Sequence, residues 1–192
     1  LNRVAEAGLG GLAFMEGIPG TVGGWLAMNA GAHGGAIGDR VRAIRGLKKD
    51  GSRAIVDGHA AGFAYRQCRA LEDLVAVEVE LRLDPGDPAD LAAQRERCRG
   101  KRLDFEGRRS AGSVFRNPEA DAAGRLLDAA GCKGLRVGGA AVFARHANVI
   151  VTEPGATASD VLALMTIMRE RVLKMQGAEL TAEIRVWQDL TT

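Results

Sequence analysis

The sequence predicts an α+β protein with mostly antiparallel sheets in two lobes, and three patterns carry that expectation. A hairpin signal at Asp50-Gly51 and an alternating strand from Val75 to Leu83 put paired strands in the first half. A Pro85-Gly86 break followed by a helix divides the chain. The second half then mixes short apolar strands with two helices. At 192 residues and 46% hydrophobic content the chain is long enough to bury a core, which excludes a disordered tail.

From the N-terminus, Asn2 to Ala7 reads as the end of a helix that Gly8 to Gly11 breaks. A second helix starts at Thr21 or Val22, because Trp25, Leu26 and Met28 are good formers, and Gly31 suits a left-handed C-terminal cap. Val41 to Lys49 and Ser52 to Val56 flank Asp50-Gly51, whose residue types suit the positive backbone angles of a two-residue turn. Val75, Val77, Val79, Leu81 and Leu83 alternate with Ala76, Glu78, Glu80 and Arg82, the mark of a strand buried on one face. Asp87 caps a helix with Pro88 in its first turn, running to about Arg99. A loop holding Ser110 to Pro118 follows, then a helix at Ala123 to Ala130, a glycine-rich segment and a strand at Asn148 to Thr152. Thr157 and Asp160 form a capping-box pattern with Asp in place of Glu, ahead of Val161, Leu164, Met165, Met168, Val172 and Met175 at helical spacing. Gly177 stops this helix, the stripe of Met165, Met168 and Met175 reads as core packing, and Ala182 to Trp187 closes the chain as a strand.

The 26 Lys and Arg nearly balance the 24 Asp and Glu, and no basic run is interleaved with aromatics, which argues against a nucleic-acid groove. Cys68, Cys98 and Cys132 make neither a disulfide framework nor a metal pair, so free thiols of a cytoplasmic protein are expected. His33, His59 and His146 show no ligand spacing, and no metal is expected. The longest apolar stretches, such as Val137 to Ala144, fall far short of the roughly twenty residues a membrane span requires. The chain opens on Leu1 and not on Met, which reads as a fragment or a processed chain.

Glycine is the compositional outlier, 26 of 192 residues or about twice the usual share. Its most suggestive cluster is Gly17-Ile18-Pro19-Gly20-Thr21-Val22-Gly23-Gly24. Such a run lets the backbone approach a ligand, and the helix after it offers N–H groups to an anion such as a diphosphate. A structural turn before a tightly packed helix fits it equally. It is neither GxGxxG nor the Walker pattern. In Ala111-Gly112-Ser113-Val114-Phe115-Arg116-Asn117-Pro118, Ser113 can present its hydroxyl and Asn117, held extended by Pro118, its amide. A loop with a capping Ser fits that stretch as well. Arg66 beside Tyr65 in Phe63-Ala64-Tyr65-Arg66 can clamp a carboxylate or phosphate, or simply pack its stem on the ring. Glu183 in the terminal strand is costly on an interior face without a purpose, and unremarkable if it faces water. No GxSxG elbow supports a serine hydrolase.

In order along the chain, GIPGTVGGWLAMNAG, FAYR, SAGSVFRNP, AGRLLDAAGCKGLRVGGA, RHANVIV, ATASD and AEIRV resemble the UDP-N-acetylenolpyruvoylglucosamine reductase family. These are flavoenzymes of peptidoglycan synthesis, and the likeness, to the shorter branch, covers nearly the whole chain. The resemblance implies that residues 1–85 form the later part of an FAD-binding α+β domain whose first subdomain is missing. Residues 86–192 would form a UDP-sugar-binding C-terminal domain. It implies FAD as cofactor, held by Gly17, Ile18, Pro19, Gly20, Thr21, Gly23, Gly24 and Asn29, with NADPH as reductant. The substrate would be UDP-N-acetylglucosamine enolpyruvate, contacted by Asn117, Tyr65 and Lys101, in a monomeric cytoplasmic enzyme with no nucleic-acid or membrane partner. Ser113 would be the proton donor, with Arg66 and Glu183 at the family's other catalytic positions.

The residue types suit that chemistry. Hydride arriving at the β-carbon of the enolpyruvyl double bond builds negative charge over the α-carbon and its carboxylate. Arg66 can hold that carboxylate, Ser113 can protonate the α-carbon from a fixed side, and Glu183 can act within the proton network. A serine donates only from a pre-organised, water-poor site. Three departures from the family pattern stand out. Nothing before Leu1 matches its nucleotide-binding segment, Asp104-Phe105 replaces a common Gln-Pro or His-Pro, and His33 stands where Tyr is frequent. The competing expectation is a non-catalytic UDP-sugar-binding fragment that has lost its flavin half.

Overall fold

The computed structural model describes residues 1–101, 105 and 107–186. The protein is α+β and divides into two compact units, Leu1–Leu103 and Asp104–Thr192.

In the first unit the largest sheet is antiparallel, with strands in the order Arg53–Asp57, Val41–Lys48, Leu74–Leu81. The expected hairpin forms, but its turn is longer than two residues. The Gly51 N–H donates to the Lys48 carbonyl at 2.9 Å, and Gly51 alone takes a left-handed φ of 81°. Asp50 instead accepts from the N–H and hydroxyl of Ser52 at 2.9 and 2.6 Å. A turn closed by one left-handed glycine matches the strand twist without asking Asp50 for a positive φ.

The Leu74–Leu81 strand departs from expectation in phase. Leu74 is buried while Val75 and Val77 are 70% and 74% exposed, and the inward residues further on are Val79 and Leu81. A bulge is the cause: Arg45 pairs with Glu78 and Gly46 with Ala76, so Val77 is the extra residue. One inserted residue moves the side chains beyond it to the opposite face. Glu78 and Glu80 are then gripped by Arg45, and Glu80 also by Arg42.

Two short helices, α1 (Asn2–Glu6) and α2 (Val22–Ala27), precede this sheet. The left-handed residue after α2 is Asn29, with φ 39°, and not the expected Gly31. Gly31 serves a different need. It pairs with Ala36 in a two-residue ladder, where a Cβ would strike the Gly35 carbonyl and come within 2.9 Å of the Ala36 Cα. Met15, Leu26, Ile37, Ile44 and Ala61 fill the core of this unit.

Helix α3 (Pro88–Gly100) is capped by Asp87, whose carboxylate accepts from the Ala89 and Asp90 N–H groups. It lies in the first unit, so the division expected at Pro85 comes too early. Asp84-Pro85 pairs back onto Leu9-Gly10, and Arg95 and Arg99 of α3 grip Glu16 at 2.7 and 2.9 Å. The Pro-Gly pair lies inside one body, with Pro85 itself in a strand.

The second unit is a four-stranded antiparallel sheet in the order Arg109–Ser113, Val149–Thr152, Ala140–Val142, Arg136–Val137. Helices α4 (Ala123–Ala129) and α5 (Ala158–Gln176) pack on it around Phe115, Leu127, Leu164, Met168 and Val172. The capping box on α5 forms as read: Thr157 Oγ accepts from the Asp160 N–H, the Asp160 carboxylate accepts from the Thr157 N–H, and Gly177 stops the helix at φ 66°. Met165 and Met168 are core, but Met175 is 62% exposed, because the core face of α5 runs out at Val172.

Two further expectations change. Ser110 to Ser113 belongs to an edge strand and not to a loop. Among the described residues the expected terminal strand, Ala182 to Trp187, shows one bridge, Ala182 to Phe115; Trp187 lies outside them. Among the described residues no helix is long and apolar enough to cross a membrane, and no cluster of His, Cys, Asp and Glu could hold a metal ion.

Candidate functional site

Ser113 ends the edge strand of the second unit. Before it, Gly112 sits at φ 82° and its N–H donates to Ser110 Oγ at 3.1 Å, which breaks the register between Ser110 and Ser113. At Val114 the chain bends, and the backbone groups that follow find partners. The Val114 N–H donates to the Asn148 carbonyl at 2.9 Å, and the Phe115 N–H to Asn148 Oδ1 at 2.9 Å. Asn148 Nδ2 donates in turn to the Phe115 carbonyl at 2.8 Å. On the other edge the Arg116 N–H reaches the Thr181 carbonyl at 2.9 Å, and the Glu183 N–H reaches the Val114 carbonyl at 2.7 Å. Glu183, half-buried, is therefore held against the residue that follows Ser113.

Ser113 and Asn117 share a polar cavity of about 350 Å³ with Arg125, Lys133, Arg145 and His146. Asn117 Oδ1 accepts from the Ala123 N–H at 3.0 Å and so caps α4. Asp121 orients Arg125 by accepting from its Nε at 2.7 Å and from its Nη2. The Arg125 guanidinium, with the Ala122 N–H, draws the Asp121 carboxyl down to about 2. Lys133 Nζ stands 2.6 Å from Asp128. His146 Nδ1 accepts from the Asn148 N–H at 3.2 Å, an arrangement that assigns the ring proton to Nε2. Arg125, Lys133 and Arg145 against the carboxylates of Asp121 and Asp128 leave the cavity net positive and suited to an anionic group.

In the first unit, Gly17 and Gly20 take φ of 72° and 124°, and the stretch 19–24 is exposed. A Cβ on Gly23 or Gly24 would meet nothing nearer than Thr21 Oγ, at 3.9 and 3.5 Å. Protein packing does not demand glycine there, whereas a ligand laid against the backbone would. Thr21 Oγ caps α2 by accepting from the Gly24 N–H at 3.2 Å, and Trp25 Nε1 donates to the Pro19 carbonyl at 3.4 Å, holding Ile18 and Pro19 to the helix. Asn29 works inside the fold: Nδ2 donates to the Ala64 carbonyl and Oδ1 accepts from the Gly38 N–H, both at 3.0 Å. This joins the glycine loop region to the Phe63-Ala64 and Gln67-Cys68 ladder, whose tip carries Tyr65 and Arg66. Among the described residues Arg66 is one of three non-glycine residues at positive φ, 57°, and its guanidinium lies 5.0 Å from the Tyr65 ring centroid. Lys101 is exposed at the C-terminal end of α3, in the first unit. Asp104 lies outside the described residues.

The crystal structure of UDP-N-acetylenolpyruvylglucosamine reductase from Thermus caldophilus superposes with a TM-score of 0.83 at 35% identity, covering 97% of this chain and 68% of that one. The chain belongs to the UDP-N-acetylenolpyruvoylglucosamine reductase family. Residues 104–187 match the model of the family's C-terminal domain. The reductase of Geobacter metallireducens is 44% identical over 191 residues, and that of an Anaeromyxobacter species 46% identical over 186. Those alignments cover 97% and 96% of this chain but 62% and 58% of the relatives, so the chain spans about three-fifths of their length.

Reading the sequence did not single out Arg125, Lys133, Arg145, His146 or Asn148. The available signal was that Arg125 and Lys133 sit in AGRLLDAAGCKG, and Arg145, His146 and Asn148 in or beside HANVIV, stretches that carry the reductase likeness.

Proposed function

We propose that this protein is the catalytic part of a reductase converting UDP-N-acetylglucosamine enolpyruvate to UDP-N-acetylmuramate, with FAD as cofactor and NADPH as reductant. The observation that carries the reading is the cationic cavity that Ser113 and Asn117 share, with Glu183 one rung away. A UDP-sugar brings a diphosphate and an uncharged sugar, and Arg125, Lys133 and Arg145 supply the charge for the first. Asn117 keeps its amide nitrogen for the substrate while its oxygen caps α4.

The glycine stretch 17–24 fits a flavin diphosphate, because its left-handed glycines and open helix face leave room for close backbone approach. When bound, the flavin supplies the hydride, replenished from NADPH. Arg66 holds the substrate carboxylate as charge spreads onto it, Ser113 gives its hydroxyl proton to the α-carbon, and Glu183 acts within the proton network that returns a proton to the serine. The same reading makes residues up to Leu83 part of a flavin-binding domain, the second unit the UDP-sugar domain, and the protein a cytoplasmic monomer.

A second reading, a UDP-sugar-binding protein without redox activity, draws on the cationic cavity, whose lining lies wholly within the second unit. Adding FAD to the purified chain and recording flavin absorbance, fluorescence and substrate-dependent NADPH oxidation separates the two. Flavin binding with substrate-dependent turnover supports the reductase, whereas UDP binding with neither supports the second reading.

A further inference from the structure

We propose that Asn148 is a positioning residue for Ser113, an inference that rests on the reductase reading of the site. Asn148 is only 2% exposed, and with Glu16 it is one of two buried polar or charged side chains among the described residues. Its amide makes no contact with a partner amide or charged group. Instead Oδ1 and Nδ2 bond the N–H and carbonyl of one residue, Phe115, at 2.9 and 2.8 Å. Its own carbonyl takes the Val114 N–H. The regular ladder between Arg109–Ser113 and Val149–Thr152 ends at the pair Ser113 and Val149. The Asn148 side chain therefore supplies the next rung, at a point where backbone alone cannot, because the chain turns off at His146 to meet Phe143.

The clamp has a location that matters. Phe115 lies two residues after Ser113 and two before Asn117, so fixing its peptide groups fixes both functional side chains from between them. On the far edge the same short stretch is held by Thr181 and Glu183. Loss of the Asn148 rung would leave the Phe115 N–H and carbonyl buried without partners and free the Ser113 hydroxyl to wander. A serine hydroxyl is a weak acid, and a misplacement of about 1 Å can cost about 10²-fold in rate.

The test compares half-reactions in the flavin-loaded protein. Asn148→Ala should leave flavin reduction by NADPH within about twofold of wild type, while reoxidation by the enolpyruvyl substrate slows about 10²-fold. Amide exchange at Val114, Phe115 and Arg116 should rise well above that of the Ala140–Val142 strand. Asn148→Asp guards against a folding failure and adds a pH signature. Ionised, its second oxygen faces the Phe115 carbonyl and repels it; protonated, the buried acid donates to that carbonyl as the amide did. Its reoxidation rate relative to wild type should therefore recover as pH falls; the charged or titratable groups that line the same cavity are Arg125, Asp128, Lys133, Arg145 and His146. Normal reoxidation in Asn148→Ala, or a pH-independent deficit in Asn148→Asp, overturns the proposal while leaving the reductase reading intact. A wild-type protein whose flavin is reduced but never reoxidised by substrate overturns both.

Discussion

Replacing Glu16 by Gln should destabilise the first unit and leave the second alone. The Glu16 side chain is 10% exposed and holds Arg95 Nε at 2.7 Å and Arg99 Nη2 at 2.9 Å, with the two arginines one turn apart on α3. Breaking a fully buried pair costs about 3–5 kcal/mol. Here the figure must be discounted, because the Arg99 side chain is 58% exposed and a pair of that kind contributes little. Arg95, 21% exposed, also keeps a second bond to Asn2 Oδ1 at 2.7 Å. About 2 kcal/mol remains, enough to lower the urea midpoint of this unit by about 1–2 M. Trp25 fluorescence in a Trp187→Phe background reports the first unit, and amide exchange at Val149–Thr152 reports the second. Hydrogen bonds from Arg95 and then Arg99 hold the Glu16 pKa below the ordinary carboxylate value. Its contribution is therefore present above the unfolded-state pKa and lost as pH falls through the folded one. The gap between wild type and Glu16→Gln should be full at pH 7 and narrow below about pH 4. Equal midpoints at pH 7, or a gap that survives acid unchanged, would refute the reasoning.

Ser113→Ala should still accept electrons from NADPH through the flavin but lose about 10²-fold or more in substrate turnover, read by stopped-flow absorbance; near-normal turnover removes Ser113 from the mechanism. Lys133→Ala should weaken UDP binding about tenfold by calorimetry and flatten its salt dependence, as expected when one charge-assisted bond to a phosphate is lost. Gly46→Ala should cost well over about 2 kcal/mol in chemical denaturation, since the new Cβ would strike the Val75 carbonyl. Gly51→Ala should cost only about 1–2 kcal/mol, because nothing lies within 4 Å and the left-handed φ of 81° is the sole penalty.

What could be read from the sequence was what short-range chemistry decides. The ends of α5 were legible because Thr157, Asp160 and Gly177 act on backbone groups within a turn of themselves. The phase of the Val75 strand was not, because its bulge is set by the register against Arg45 and Gly46, thirty residues away in the chain. Pro85-Gly86 was read as the end of the strand, yet the strand already ends at Leu81, Pro85 itself pairs with Leu9, and the residues beyond return to the same core through Glu16, contacts that no local pattern announces. The site follows the same division. Ser113 and Asn117 stood out in a glycine- and proline-punctuated stretch, Arg66 as a cation beside an aromatic, and Glu183 as a carboxylate within a strand. The groups that would place them were silent for the opposite reason. Asn29 and Asn148 are ordinary amides whose effect depends on reaching Ala64 and Phe115 across 35 and 33 residues. Reactivity resides in a residue type, whereas precision resides in a contact, and only the fold supplies contacts. The buried amide of Asn148 carries no reactivity of its own, and its whole weight lies in the two peptide groups of Phe115 that it holds.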